Sequence, residues 1–234
     1  MNLWNFVLEM IYPKTCCFCG KVSSREVCEE CAKKIEYIEE PRCKKCGKPI
    51  RYAEDEYCYD CQKKEFHYEQ GRNIWIHKFP VSWSIYQFKY HNRRIYGAFY
   101  AKEMYRLYGK ILSEWEIDTI IPIPLHPRRK KMRGYNQAEV LARILGKLAG
   151  IPVQSRAVKR TKYTRPQKQL NDKERKKNLR QAFCVNSRWK YVRNVLLLDD
   201  IYTTGSTIDA VAEVLKSAGV KKVFFLTISI GQGF

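Results

Sequence analysis

The sequence predicts an α/β protein: a parallel sheet with helices on both faces, preceded by a small cysteine-rich module. Three observations carry that expectation. From residue 96 onward, amphipathic stretches alternate with short apolar runs that lack polar interruption, as strands buried on both faces require. Nine of the ten cysteines fall between Cys16 and Cys61. The chain has 234 residues and is 45% hydrophobic, enough to bury one full core with a satellite beside it.

The opening MNLWNFVLEMIYP carries apolar residues at Leu3, Trp4, Phe6, Val7, Leu8, Met10 and Ile11, is interrupted by Glu9, and has no basic leader. It reads as a short amphipathic helix, far below the roughly 20 apolar residues of a membrane span. The expectation is a cytoplasmic protein whose first helix can rest on a partner or on the inner face of the membrane.

Cys16/Cys19, Cys28/Cys31, Cys43/Cys46 and Cys58/Cys61 form four Cys-x-x-Cys pairs. Each pair turns tightly enough to aim two thiolates at one ion, and a tetrahedral structural site takes two pairs. Eight thiolates therefore predict two structural zinc ions in a reducing compartment, rather than four redox dithiols in a row. Pairing can be sequential or interleaved. Cys17 and Cys184 are expected to be small buried apolar residues.

The first domain is placed at 1–70 and the second at 71–234. Gly71 to Pro80 reads as a hinge between them, and SWSIYQFKY, which alternates apolar and polar residues, reads as a strand. A helix near Tyr96 to Leu112 follows, then strand DTIIPIP, a helix near Tyr135 to Ala149, strand NVLLLD, a helix near Ser206 to Ala218, and strand KKVFFLTISI. No internal repeat or low-complexity linker is visible.

The candidate site lies in VLLLDDIYTTGST, Val195 to Thr207. In a parallel α/β sheet ligands bind beyond the carboxyl ends of the strands, where Asp199 and Asp200 sit. The turn behind them leads into a helix that Gly205 or Ser206 can start. Its backbone amides and the hydroxyls of Thr203, Thr204, Ser206 and Thr207 make an anion seat, and Gly205 allows close approach of a phosphate. Carboxylates at one end and amides at the other suit one sugar phosphate. A P-loop ATPase is not expected because no GxxxxGK[ST] occurs in the sequence, nor is a response regulator, whose acidic pocket would need most of its domain after the aspartates.

All thirteen positions of VLLLDDIYTTGST resemble the phosphoribosyl pyrophosphate motif of type I phosphoribosyltransferases. The resemblance implies that Asp199 and Asp200 hold the ribose hydroxyls, as the residues on which any catalysis would turn, and that Thr203 to Thr207 hold the 5-phosphate. It also implies Mg²⁺ as the companion ion. IIPIPLHPRRKKMRGYNQA ends where the pyrophosphate loop of that family lies, and RTKYTRPQKQLNDKERKKNLRQAF where its mobile loop lies. A double zinc ribbon, then PIPLHPRRKKMRGYNQA, then Arg160, Thr164 and Gln167 in R-x-x-x-T-x-x-Q, resembles the ComF family over nearly the whole chain. That likeness implies a role in natural transformation, with incoming single-stranded DNA as a partner. A helicase of the ComF operon and other DNA-processing proteins join it as candidate partners.

The formal charge of +20 points to a polyanion, nucleic acid first and an anionic membrane surface second. Eleven Lys or Arg lie between Arg156 and Arg180, and His126 to Arg133 contributes five more. Both runs are expected on loops at one rim of the sheet, where Arg128, Arg129, Lys130, Lys131, Arg133, Arg160, Lys162 and Arg165 would meet phosphates. Tyr90, Tyr135 and Tyr163 are the aromatics nearest in sequence for stacking bases. Arg128, Arg133, Arg160 and Lys162 also suit a departing pyrophosphate. The leading expectation is therefore a competence protein that handles DNA and keeps a phosphoribosyl site; an active, Mg²⁺-dependent phosphoribosyltransferase and a scaffold with a relic site are the rivals.

Overall fold

The computed structural model describes residues 14–161, 182–187 and 189–231. The opening helix, Lys162, Tyr163, Thr164, Arg165 and Gln167 lie outside the described residues.

The two cysteine modules repeat one design, a correction to the expectation of no internal repeat. In the first, Cys16 N donates to Lys21 O at 2.8 Å, Gly20 N donates to Cys16 O at 2.9 Å, and Thr15 bridges Val22. In the second, Cys43 N donates to Lys48 O at 2.7 Å, Gly47 N donates to Cys43 O at 2.9 Å, and Arg42 bridges Pro49. Gly20 and Gly47 hold φ of +74° and +71°, the left-handed turn that folds each knuckle back on itself. The later pair of each module opens a short helix, Cys28 before α1 (Glu29–Ala32) and Cys58 before α2 (Tyr59–Lys63). The periodicity escaped the sequence because Cys28 and Cys58 stand at different distances from their knuckles.

The expected hinge is a strand. β1 (Gln70–Ile76) pairs in parallel with β6 (Lys222–Ile230). Its small and polar residues conceal its burial: Gly71 lies against the Phe225 ring so closely that a Cβ would stand 2.1 Å away, and buried Asn73 donates to Cys46 O at 2.8 Å and accepts from Thr227 Oγ1 at 2.6 Å. The expected strand SWSIYQFKY is helix α3 (Val81–Tyr90). Val81, Ser84, Ile85 and Phe88 form its buried face at helical spacing, and Ser84 enters the core because its hydroxyl is satisfied by Cys17 O and Tyr100 Oη.

From there the expected elements follow in order, with a helix at Pro127–Arg133 and a two-stranded ribbon added between them. α4 (Tyr96–Glu114) leads to β2 (Thr119–Pro122), α5 (Pro127–Arg133) and α6 (Gln137–Ala149). β3 (Val158–Arg160) and β4 (Phe183–Val185) form an antiparallel ribbon apart from the main sheet. β5 (Asn194–Tyr202), α7 (Ser206–Ser217) and β6 complete the chain. The main sheet is parallel, in the order β1-β6-β5-β2.

Residue alternation splits the core. Leu196, Leu198, Phe224 and Leu226 pack with α4 and α6 on one face; Val195, Leu197, Val223 and Phe225 pack with Ile208, Val211 and Leu215 of α7 on the other. Among the described residues no helix is long and apolar enough to cross a membrane.

Candidate functional site

The same alternation sends the two acids in different directions. Asp200 follows Leu196 and Leu198 to the α3 side, where its Oδ1 lies 2.8 Å from Lys89 Nζ, both side chains largely buried. Asp199, half-buried, follows Val195 and Leu197 to the α7 side, and its Oδ1 accepts the Asp200 amide at 2.8 Å. Burial and the Asp200 carboxylate push the Asp199 carboxyl up to about 7, against the opposing pull of Lys89 and Arg160. Arg160, on β3, has its own pKa lowered by burial and by Arg129, and Asp199 works against that fall. The site therefore holds two carboxylates that share Lys89, with Arg160 additionally acting on Asp199.

The turn behind them is closed by Gly205, the N-cap of α7, at φ +75°. A Cβ here would stand 2.4 Å from Tyr202 Oη, so glycine is needed both for the backbone angle and for room. Thr203 and Thr204 are exposed, Ser206 and Thr207 half-exposed, and Thr204 Oγ1 lies 2.8 Å from Ser206 Oγ. Tyr202 stacks on Phe225 with centroids 5.0 Å apart, and its hydroxyl meets Tyr68 Oη at 2.8 Å. A buried aromatic wall thus backs the turn while its hydroxyls face outward. The outward hydroxyls and the start of α7 make a turn chemically suited to an anion, with two acids close before it in sequence.

His126 to Arg133, expected as a loop, is helix α5 with its cap. His126 Nδ1 accepts the Arg128 amide at 3.2 Å, Pro127 takes the first turn, and Gly134 ends the helix at φ +78°. Burial, with Arg128, Arg160 and Arg129 beside it, lowers the His126 pKa. Arg128, Lys130 and Lys131 are exposed and Arg129 and Arg133 half-buried. Lys130 reaches Glu139 at 3.5 Å. Arg133 is held by Gln137 Oε1 at 3.0 Å and by Tyr90 Oη at 2.9 Å. Of the expected base-stacking residues, Tyr135 is buried, with its hydroxyl on Phe88 O, and is thereby removed from that role; Tyr90 is 49% exposed.

Sequence reasoning missed Lys89 and His77. Lys89 was hidden by reading α3 as a strand. His77, at the end of β1, places Nδ1 2.9 Å from Ser229 Oγ, and burial and Lys89 lower its pKa while Asp200 resists.

The cysteines resolve the pairing. Cys16, Cys19, Cys28 and Cys31 gather one set of sulfurs within 4.8 Å of one another, and Cys43, Cys46, Cys58 and Cys61 a second. Sharing is sequential. Cys19 and Cys28 Sγ are 3.7 Å apart, and Cys46 and Cys58 Sγ 3.6 Å, close to the roughly 3.8 Å edge of a tetrahedron with Zn–S bonds near 2.3 Å. Both sets fit structural zinc. Cys17 is buried, and burial pushes its thiol up to about 12. Cys184 is exposed, contrary to expectation, because the β3–β4 ribbon points it outward opposite Lys159.

Paired acids at a parallel strand end, followed by a glycine-opened turn, sit in a domain of the phosphoribosyltransferase class. The chain belongs to the phosphoribosyl transferase domain family, whose match spans residues 99–229, and it carries a double zinc ribbon domain matched over residues 7–62. It is similar to Competence protein F of Haemophilus influenzae, 34% identical over 150 residues, covering 62% of this chain and 65% of that protein. It is also similar to DNA utilization protein YhgH of Escherichia coli K12, 36% identical over 106 residues, 45% of this chain and 46% of that one. Competence protein ComFC of Streptococcus pneumoniae is 30% identical over 131 residues, 56% of this chain and 53% of that one. In each alignment the chain spans less than two thirds of the relative's length. The ComF resemblance agrees with these relatives.

Proposed function

We propose that this is a competence protein that handles incoming single-stranded DNA in the cytoplasm and retains a site for phosphoribosyl pyrophosphate with Mg²⁺. The observation that carries the ligand is the juxtaposition of Asp199 and Asp200 with the Gly205 turn. In this reading the carboxylates accept the ribose hydroxyls, the amides and hydroxyls from Thr203 to Thr207 receive the 5-phosphate, and Lys89 yields Asp200 to the sugar. Mg²⁺ would offset pyrophosphate charge. The DNA part rests on the relatives' names, on the net charge of +20, and on Arg128, Arg129, Lys130, Lys131, Arg133 and Arg160, with Lys162 and Arg165 assigned by sequence alone. Eight zinc-binding thiolates suit the reducing cytoplasm.

A second reading, transferase activity on a nucleobase or similar acceptor, is favoured by the nearness of Arg160 to Asp199, with Arg129 in turn beside Arg160. The acceptor nitrogen would bond to the anomeric carbon as the carbon–oxygen bond to pyrophosphate breaks, with those cations beside the departing charge.

Calorimetry with phosphoribosyl pyrophosphate and Mg²⁺ tests the site. Asp199→Asn with Asp200→Asn should abolish measurable binding, since each charge-assisted hydrogen bond contributes roughly 1.5–3 kcal/mol, while zinc content stays unchanged. Retained affinity would remove the ribose role. Release of pyrophosphate on adding candidate acceptors separates the second reading from the first.

The Asp199 carboxyl near 7 adds a pH signature. Binding requires the ionised form, so affinity should rise with pH and level off above about 7. Folding has the opposite sign: a carboxyl with a raised native pKa contributes stability below its unfolded value of about 3.9, and that contribution is lost as pH climbs through about 7. Asp199→Asn should therefore gain melting temperature relative to the parent across that window. A pH-independent difference would show that the native carboxyl titrates normally.

A further inference from the structure

Helix α3 buries Val81, Ser84, Ile85 and Phe88 and turns Tyr86 and Tyr90 to solvent, 51% and 49% exposed. Their ring centroids are 5.1 Å apart, and the exposed His91 ring lies 5.3 Å from Tyr86. Two large rings on an outer helix face forgo burial that the core would have given them. They are nonetheless held in place. Tyr135 donates its hydroxyl to Phe88 O, Gln137 Nε2 donates to Lys89 O at 3.3 Å, and the Arg133 guanidinium sits 4.7 Å over the Tyr90 ring while donating to its hydroxyl. Arg93 and Arg94 are exposed just past the end of the helix, with Arg94 4.6 Å over the buried Tyr135 ring. No acidic residue occurs in residues 81–102 or 119–138, the two segments that build this surface.

We propose that Tyr86, Tyr90 and His91 form a stacking ledge for the bases of single-stranded nucleic acid, with Arg93, Arg94 and Arg133 taking its phosphates. Exposed π-faces interleaved with fixed cations match a strand whose bases are unpaired; a duplex hides the faces that the rings would meet. The ledge adjoins the acid pair, because Lys89, between Phe88 and Tyr90, is the residue that reaches Asp200. A strand lying on it therefore passes beside the sugar-phosphate seat. This inference rests on the single-stranded DNA reading above and gives that reading a surface distinct from the exposed lysines of α5.

Fluorescence anisotropy of the full chain with a labelled oligothymidylate tests it. Tyr86→Ala with Tyr90→Ala should weaken binding by about tenfold or more, since each base–aromatic stack is worth about that factor, and should leave the salt slope of the affinity in place because no phosphate contact has gone. Tyr86→Phe with Tyr90→Phe, which keeps both rings, should hold affinity within about threefold. An oligonucleotide of abasic sites should bind the parent as weakly as oligothymidylate binds the alanine variant. Zinc content and melting temperature certify that each variant is folded. Unchanged affinity in the alanine variant overturns the ledge while leaving DNA binding itself standing. Failure of the parent to bind any oligonucleotide overturns the DNA reading and the ledge together. Loss of binding to anionic phospholipid vesicles, with oligonucleotide binding intact, identifies a membrane contact and also overturns it.

Discussion

The first zinc module sits in an aromatic nest and the second on the edge of the sheet, although their knuckles are hydrogen-bonded alike. Phe18, within the first knuckle, meets Trp75 edge-on at 5.3 Å and Phe99 at 5.6 Å, and Cys17 O accepts the Ser84 hydroxyl. The second knuckle bonds β1 through Lys45 O and Cys46 O, and the chain leaving it places Tyr68 on Tyr202 and the His67 amide on Asp209 Oδ1 at 2.7 Å. Asp209 lies in the first turn of α7, directly after the anion seat. One module fills a core. The other reaches the turn on which a ligand would rest. Identical metal chemistry thus serves different ends according to what the flanking residues touch.

The largest effect should come from taking the metal away. Metal analysis of the purified chain should find close to two zinc ions, and a strong chelator should unfold both modules, since structural zinc sites contribute apparent energies of about 10 kcal/mol or more. Loss of β1 pairing is expected to follow, because Gly71 and Asn73 depend on the second knuckle for partners. A stable content near one would break the symmetry of the two sites, and near-native circular dichroism after stripping would deny the metal its structural role.

How much of this was legible from sequence depended on whether a signal was local. VLLLDDIYTTGST could be read whole because strand, acids, glycine and helix start lie side by side, and the eight ligands could be read because each Cys-x-x-Cys announces itself. α3 could not. Its apolar residues satisfy a two-residue period as well as a helical one, and buried Ser84 hides the helical face until Tyr100 and Cys17 supply its hydrogen bonds. β1 failed for a related reason: Asn73 is satisfied by Cys46 and Thr227, partners far along the chain. The α5 helix does carry local signals, proline at its start and glycine past its end, but its run of five cations has no apolar face to mark a helical period. Lys89 on Asp200 and the Tyr86–Tyr90 ledge were invisible because both depend on the helical form of α3.

A smaller effect sharpens the contrast between the modules. Cys43→Ser in the second module should loosen the turn at Gly205, raising amide exchange in the first turn of α7 and weakening phosphoribosyl pyrophosphate binding by about tenfold, whereas Cys16→Ser in the first should affect stability alone. Hydrogen exchange reads the turn directly, so the comparison survives even if the ligand proves to be something else. Equal exchange in the two variants would mean that the second module supports the sheet without influencing the seat.

The smallest effect concerns the hydroxyl pair that joins module to turn. Tyr68 and Tyr202 are both buried, their oxygens 2.8 Å apart, and burial pushes both phenols well above their ordinary values. Removing one hydroxyl deletes a hydrogen bond and leaves its partner in an apolar setting, so Tyr68→Phe or Tyr202→Phe should each destabilise by about 1–2 kcal/mol. Removing both takes away the donor and the acceptor together, and the rings keep their packing on Phe225, edge-on for Tyr68 at 4.9 Å and stacked for Tyr202 at 5.0 Å. The double variant should therefore be less destabilised than the sum of the two single changes, a coupling that denaturant titration of all four chains resolves. The same cycle read in phosphoribosyl pyrophosphate affinity distinguishes cement from lever. If stability couples and affinity does not, the pair merely glues the second module to the sheet; if both couple, the position of Tyr202 Oη beside Gly205 is transmitted to the seat, and the two zinc modules differ in function as well as in place.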